Sequence, residues 1–188
     1  SIICTQSLLQ QRKKMKYTPS INIEYGIEPD FLYIVTPNSQ AVTGCLVSNY
    51  NIGIHSFSII GTYGTGKSSY LMALERDLIS NTHSLLQNKS VFGDCDKFEF
   101  LNILGDYRSL SYLLSDKLNC DRSDDTKNIF NALSDYYQFL KKKNKFLFIV
   151  IDEFGKILEH AAKNNPEKEL YFLQRLADSI QMAFYEGH

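Results

Sequence analysis

Eight consecutive residues, Gly61-Thr62-Tyr63-Gly64-Thr65-Gly66-Lys67-Ser68, constrain this chain more than any other feature, because they fit the pattern G-x-x-x-x-G-K-[ST] of a phosphate-binding loop. Such a loop needs a strand to feed it and a helix to leave it. His55-Ser56-Phe57-Ser58-Ile59-Ile60 is a short apolar-rich run of strand length, and Leu71, Leu74 and Leu78 recur with the spacing of one helical face, to about Ile79. The glycines let the backbone wrap closely around an anion. Successive N–H groups and the start of the helix then direct positive partial charge at the β- and γ-phosphates. Lys67 would reach those oxygens as a compact cation, the Ser68 hydroxyl would ligate Mg²⁺, and Ser69 stands where a hydroxyl supports a phosphate contact. The competing reading is a glycine-rich turn that happens to hold Gly66-Lys67-Ser68.

A second pattern lies downstream. Phe146-Leu147-Phe148-Ile149-Val150-Ile151 is a continuous apolar run of the kind expected from a parallel strand buried on both faces, and Asp152-Glu153 stands at its end. In that position an aspartate supports the metal, usually through water, and a glutamate polarises the attacking water. Open parallel sheets present ligands at the carboxyl ends of their strands, which is where this pair must sit. The alternative is a surface turn.

Between the two motifs, Phe98 to Leu104 reads as a strand ending at Gly105, followed by a helical pattern at Leu110, Leu113, Leu114 and Leu118. A further helix is expected from about Thr126 to Lys143, with Ile129, Leu133, Tyr136, Tyr137 and Leu140 apolar behind the capping candidates Asp124 and Asp125. After the acidic pair one long helix is expected, with Asn165 as cap, Pro166 at the first helical position, and Leu170, Leu173, Ala177, Ile180 and Phe184 on one face. Upstream, residues 1–30 read as a leader or linker broken by Pro19 and Pro29. Phe31 to Val35 is a strand or an extended linker, and Thr36-Pro37 opens a helix to about Tyr50. Asp121 to Asp125 is the best candidate for an exposed loop.

One strand intervenes between the loop strand and the Asp-Glu strand. That order resembles the additional-strand, catalytic-glutamate division of P-loop NTPases, which includes the AAA+, STAND and RecA-like families. Kinase-type P-loop proteins, whose two motif strands are usually neighbours and which lack the extra glutamate, come second. Thr36-Pro37-Asn38, the stretch Phe57 to Tyr70 and Ile151-Asp152-Glu153-Phe154-Gly155-Lys156 look like the start of an AAA+/STAND-like ATPase module of large bacterial ATP-binding proteins. Several of those belong to phage-defence or DNA-processing systems. The resemblance covers roughly Phe31 to the end, and its specific parts are the Walker A and Walker B motifs.

The resemblance implies an α/β fold, a three-layer α/β/α P-loop NTPase with a parallel sheet, in which 31–188 is the N-terminal portion of the ATPase domain. In such families the next strand carries a polar sensor residue and lies between the P-loop strand and the Asp-Glu strand, with arginine fingers and a helical lid later still. The expectation is therefore an N-terminal piece of a longer protein, or one half of a split gene. A sheet lacking that strand leaves buried backbone groups unpaired at about 1–3 kcal/mol each, against a total stability of about 5–15 kcal/mol. Weak or undetectable ATP turnover is expected from these 188 residues alone. In AAA-like proteins the entering segment often lines the adenine pocket, so Tyr33 to Pro37 either approaches the base or simply packs.

Composition sets the remaining bounds. With 44% hydrophobic residues in 188, the chain has enough for the core of one α/β domain. No window approaches the roughly 20 apolar residues of a membrane span. The cationic cluster Arg12-Lys13-Lys14-Lys16 follows the short apolar opening, the reverse of a signal peptide, so a cytoplasmic location is expected. Cys4, Cys45, Cys95 and Cys120 form no C-x-x-C pair; buried free thiols are expected for most. His55, His83, His160 and His188 are isolated, and His160 is expected on a helix surface. A net charge of −1 argues against strong, indiscriminate nucleic-acid binding. The cluster at Arg12 to Lys16 reads as a solvated leader ahead of a nucleic-acid or partner-touching tail, and Lys141-Lys142-Lys143-Lys145 as cations meeting the negative end of a helix. The twelve Tyr and twelve Phe mostly follow helix or strand periodicity and are expected in the core.

The function expected from these residues is Mg²⁺-dependent ATP binding and hydrolysis. The loop Gly61 to Ser69 and Lys67 hold phosphates, Ser68 and Asp152 place magnesium, and Glu153 activates water, with Lys67 and Glu153 the catalytic side chains. Two other classes stay open: a nucleotide-gated switch or scaffold with slow or no hydrolysis, and a DNA-engaged motor or loader. Partners on this reading are ATP, the remainder of a longer chain and a further copy of the same chain. Nucleic acid stays open without support here, and no membrane is expected. ATP is preferred to GTP because no N-K-x-D base-reading motif is present.

Overall fold

The computed structural model describes residues 23, 32–62, 64–80, 82, 84–87, 89–93, 95, 97–120 and 126–186. Two strands, β1 (Lys97–Leu104) and β2 (Lys145–Asp152), pair in parallel with an unbroken register from Lys97↔Lys145 to Leu104↔Asp152. Among the described residues, six α-helices surround them: α1 (Pro37–Asn51), α2 (Lys67–Ser80), α3 (Leu110–Lys117), α4 (Thr126–Lys142), α5 (Phe154–Lys163) and α6 (Pro166–Glu186). A short 3₁₀ turn, Lys89–Phe92, precedes β1.

Strand alternation divides the core in two. Phe98, Phe100, Phe146 and Phe148 point to one face, where they meet Tyr70, Leu74 and Leu78 of α2, Phe92, and partly buried residues of α1. The register sets Phe100 opposite Phe148, and their rings stack at 4.9 Å and 6°. Leu101, Ile103, Leu147, Ile149 and Ile151 point to the other face and pack against Leu110 and Leu114 of α3, Ile129 and Leu133 of α4, Ile157 of α5, and Phe172 and Leu176 of α6. Helices on both faces of a parallel pair make this a mixed α/β arrangement.

Most element ends obey local chemistry. Thr36 caps α1 with a reciprocal capping box to Ser39, and Pro37 takes the first helical position. Ser109 caps α3 through Tyr112 N–H, and Asn165 accepts from Lys168 N–H at the start of α6. Lys141 and Lys142 occupy the last turn of α4. Lys145 instead opens β2 and pairs with Glu99 across the two strands at 2.7 Å.

α2 runs against the strands. Near the carboxyl end of β1, Asn102 donates to Glu75 of α2 (2.9 Å). Farther along the helix, the fully buried Asp77 accepts from the backbone N–H groups of Ser84, Leu85 and Leu86 and from the Thr82 hydroxyl. That segment leads to Phe92, whose ring lies 6.2 Å from Phe98 and 5.4 Å from Phe146 at the amino edge of the sheet. The helix thus meets β1 near the strand's carboxyl end through Glu75, and its Leu74 and Leu78 share the aromatic cluster with Phe92.

Several expectations are corrected. Residues 54–62 form neither strand nor helix; Phe57 is 42% and Ile60 93% exposed, because no neighbouring strand among the described residues pairs with them. β2 is half-buried along most of its length rather than enclosed, since β1 is its only ladder partner among the described residues. Two helices follow the acidic pair, α5 then α6, with the break at Asn164-Asn165-Pro166. Of the expected inward face of α6, Leu173 and Ile180 are partly buried against the core, beside the buried Phe172 and Leu176, while Leu170 is 60% exposed. Cys45 is exposed and Cys95 and Cys120 are partly so, all three as free thiols. Phe31, the Asp121–Asp125 loop with its proposed caps, Cys4, His83, His188 and the leader apart from Ile23 lie outside the described residues. Ile23 is buried, and its carbonyl accepts from Asn102 Nδ2 (3.4 Å).

Candidate functional site

The loop that leads into α2 is built from its own hydrogen bonds. Gly64 and Gly66 have φ of 78° and 80°, left-handed values that suit glycine. The Gly66 carbonyl accepts the first helical bond, from Tyr70 N–H at 2.9 Å. The N–H groups of Lys67, Ser68 and Ser69 precede that bond and have no acceptor within the helix. The Thr65 hydroxyl donates to the Thr62 carbonyl at 2.8 Å. Lys67 folds over the loop, its Nζ donating to the carbonyls of Gly61 (2.7 Å) and Thr62 (2.8 Å). Gly61, Thr62, Gly64, Thr65 and Gly66 are exposed, while Lys67, Ser68 and Ser69 are half-buried; Tyr63 lies outside the described residues.

The acidic pair ends β2. Asp152 is the last strand residue, 6% exposed, and its Oδ1 accepts from Glu153 N–H at 2.9 Å. It shares a strand face with Phe146 and Phe148, so it lies on the α2 side of the sheet. Glu153 turns the chain from β2 into α5 in a left-handed conformation, φ 52° and ψ 36°. Its carboxylate forms an ion pair with Lys156 one turn into the helix. That contact is the leading reason the Lys156 ammonium titrates above its ordinary range.

Asp152 and α2 thus lie on the same face of the sheet, and Glu75, two turns past the start of α2, meets β1 near its carboxyl end. Among the described residues no hydrogen bond or ion pair runs between 61–69 and 152–153. Left-handed glycines, unpaired helical N–H donors and an ammonium fit a polyphosphate, and a hydroxyl with a nearly buried carboxylate fits a hard cation. No group of three or more His, Cys, Asp or Glu side chains among the described residues could hold a metal. Magnesium beside phosphate does not require one, because it keeps waters and takes substrate oxygens.

The other expected contributors are placed elsewhere. Tyr33 and Val35 pack against the aromatic cluster. His160 sits half-buried on α5 near Asn164. It also borders a cleft of about 230 Å³ with Ser109, Thr126, Lys168, Glu169 and Arg175, which contains none of residues 61–69 or 152–153. Two contributors to the acidic corner were not singled out from sequence: Lys156, three residues from Glu153 and so within one helical turn, and Gly105, for which a strand end followed by glycine was the available signal. No helix among the described residues is long and apolar enough to cross a membrane. No protein-family model, no curated protein and no solved structure matches this chain.

Proposed function

We propose that this chain is a P-loop ATPase module of the AAA+/STAND-like kind that binds Mg·ATP and hydrolyses its γ-phosphate bond. The observation that supports it most is the left-handed glycine loop opening α2, with its free helix-start N–H groups and Lys67, on the helix that packs against the sheet face carrying Asp152. The N–H groups at 67–69 and the Lys67 ammonium hold phosphate oxygens, for which Lys67 gives up the carbonyls of Gly61 and Thr62. The Ser68 hydroxyl and Asp152 are the groups that would hold magnesium, which when bound neutralises charge on the phosphates. Glu153 accepts a proton from water attacking the γ-phosphorus, after its carboxylate leaves Lys156.

A nucleotide-gated switch with slow turnover is the second reading. The Glu153–Lys156 ion pair favours it, because a carboxylate engaged by an ammonium is not available as a base. Phage defence, DNA processing and a DNA-engaged motor are proposals at the level of the resemblance.

The test compares Mg·ATP affinity, by a fluorescent analogue, with single-turnover hydrolysis. Lys67→Ala loses binding. Glu153→Gln keeps binding and loses at least about 10²-fold in rate. Binding unaffected by Lys67→Ala would overturn the phosphate site, and equal loss of both quantities in Glu153→Gln would overturn the base assignment.

A further inference from the structure

The end of β1 reaches the acidic corner through one residue. Gly105 is buried and stands one step beyond the last ladder pair, Leu104↔Asp152. Its N–H donates to the Asp152 carbonyl at 2.8 Å. A Cβ at this position would lie 2.9 Å from the Asp152 carbonyl oxygen and 2.8 Å from the Glu153 carbonyl carbon, and closer still to the Glu153 carbonyl oxygen. Real Cβ atoms do not approach within 3.0 Å, and the atoms in the way are backbone, with no side-chain rotation to relieve the clash.

The peptide that Gly105 touches is unusual. Glu153 is left-handed, a conformation that residues with long side chains rarely adopt. Glu153 makes no side-chain cap at the start of α5, unlike Thr36 at α1 and Ser109 at α3; the side-chain bond at this turn is Asp152 Oδ1 accepting Glu153 N–H. From this turn the Glu153 carbonyl accepts Lys156 N–H at 3.0 Å while its carboxylate pairs with the Lys156 ammonium. Both of the residue's polar ends are thereby set by a backbone conformation whose outer face rests on Gly105.

We propose that Gly105 is a positioning residue for the Asp152–Glu153 corner: the missing side chain lets β1 press against that peptide and holds Glu153 in the turn that aims its carboxylate. The inference rests on the reading of Glu153 as the base. A methyl group at 105 pushes the corner away from β1, shifting Glu153 relative to the loop at 61–68, which lies on a separate segment and keeps its phosphate contacts. Misplacement by about an ångström costs on the order of 10²-fold in rate.

The experiment measures Mg·ATP affinity, single-turnover hydrolysis and melting temperature for the wild type, Gly105→Ala, Glu153→Gly and the double variant Gly105→Ala/Glu153→Gly. Gly105→Ala is expected to lose about 10²-fold in rate with a much smaller loss of Mg·ATP affinity, since Asp152 moves with the corner while the loop at 61–68 does not. A wild-type rate, with or without a lower melting temperature, overturns the proposal, since a merely structural glycine affects stability alone. Glycine at 153 lets the corner yield, so Gly105→Ala is expected to lower the melting temperature less in the Glu153→Gly background. Equal lowering in both backgrounds overturns the proposal. If Gly105→Ala is recovered unfolded, the double variant is expected to regain a cooperative melt, and failure to regain it is equally fatal. If the wild type neither binds nor hydrolyses ATP, the functional reading falls, while the comparison of melting temperatures still decides whether Gly105 holds the corner.

Discussion

Asp77 concentrates more hydrogen bonds than any other described carboxylate. Burial acts first to raise its affinity for a proton, but the Thr82 hydroxyl and the N–H groups of Leu86, Ser84 and Leu85 together outweigh that and hold it below the usual carboxylate range. A depressed folded value means that its stabilisation is complete above the unfolded value, near pH 4, and is lost as pH falls through the lower folded one. Asp77→Ala leaves the buried N–H groups of Leu85 and Leu86 without their acceptor, at about 1–3 kcal/mol each before relaxation. The expected outcome is a large loss of stability at pH 7 in chemical denaturation, with a smaller difference from wild type at pH 2. A variant as stable as wild type at pH 7 would show that the 82–86 segment finds other partners.

Among the elements, α6 holds the start of α3 from outside. Glu169 is 5% exposed and accepts Leu110 N–H at 2.8 Å, taking a helix-start donor that Ser109, already bonded to Tyr112 N–H, does not reach. Burial pushes the Glu169 carboxyl up, against the lowering by Leu110 N–H. With the folded value raised, stability falls as pH rises from the ordinary glutamate value, about 4.3, through the folded one. Glu169→Gln keeps an acceptor and removes the buried charge, so it should match or exceed wild-type stability at pH 7 and flatten that fall. Glu169→Ala should cost about 1–3 kcal/mol, measured by thermal and denaturant unfolding.

Elements whose determinants are local were legible in the sequence. Leu110 and Leu114 marked the buried face of α3, Ile129, Leu133 and Leu140 that of α4, and Thr36-Pro37 and Asn165-Pro166 the starts of α1 and α6. Features set by neighbours in space were not. Nothing in His55 to Ile60 says whether a partner strand will lie beside it, and Leu170 shares a helical period with Leu173 and Ile180 yet falls outside the stripe they bury with Phe172 and Leu176. At the candidate site the Gly61–Ser68 and Asp152–Glu153 patterns are visible as spacing alone, and their roles there are the proposal. The Glu153–Lys156 ion pair and the approach of Gly105 depend on how β2 turns into α5, which no spacing encodes.

For the whole molecule, a ligand that binds only the folded chain raises its stability by mass action. Mg·ATP at about a hundred times its dissociation constant should add about 2.7 kcal/mol, read as a higher melting temperature. Lys67→Ala should abolish that rise and Glu153→Gln should keep it. A wild-type melting temperature indifferent to saturating Mg·ATP would remove the basis for a nucleotide site. The same titration with Mg·GTP reports base preference.

A single residue, Glu153, joins β2 to α5. The strand is tied to its neighbour through eight register pairs, and the helix is seated in the core through the buried Ile157 and Ala161. With no slack between them, the Glu153 carboxylate inherits its placement from both at once, so a substitution that reseats α5 in the core re-aims it even where β2 stays in register.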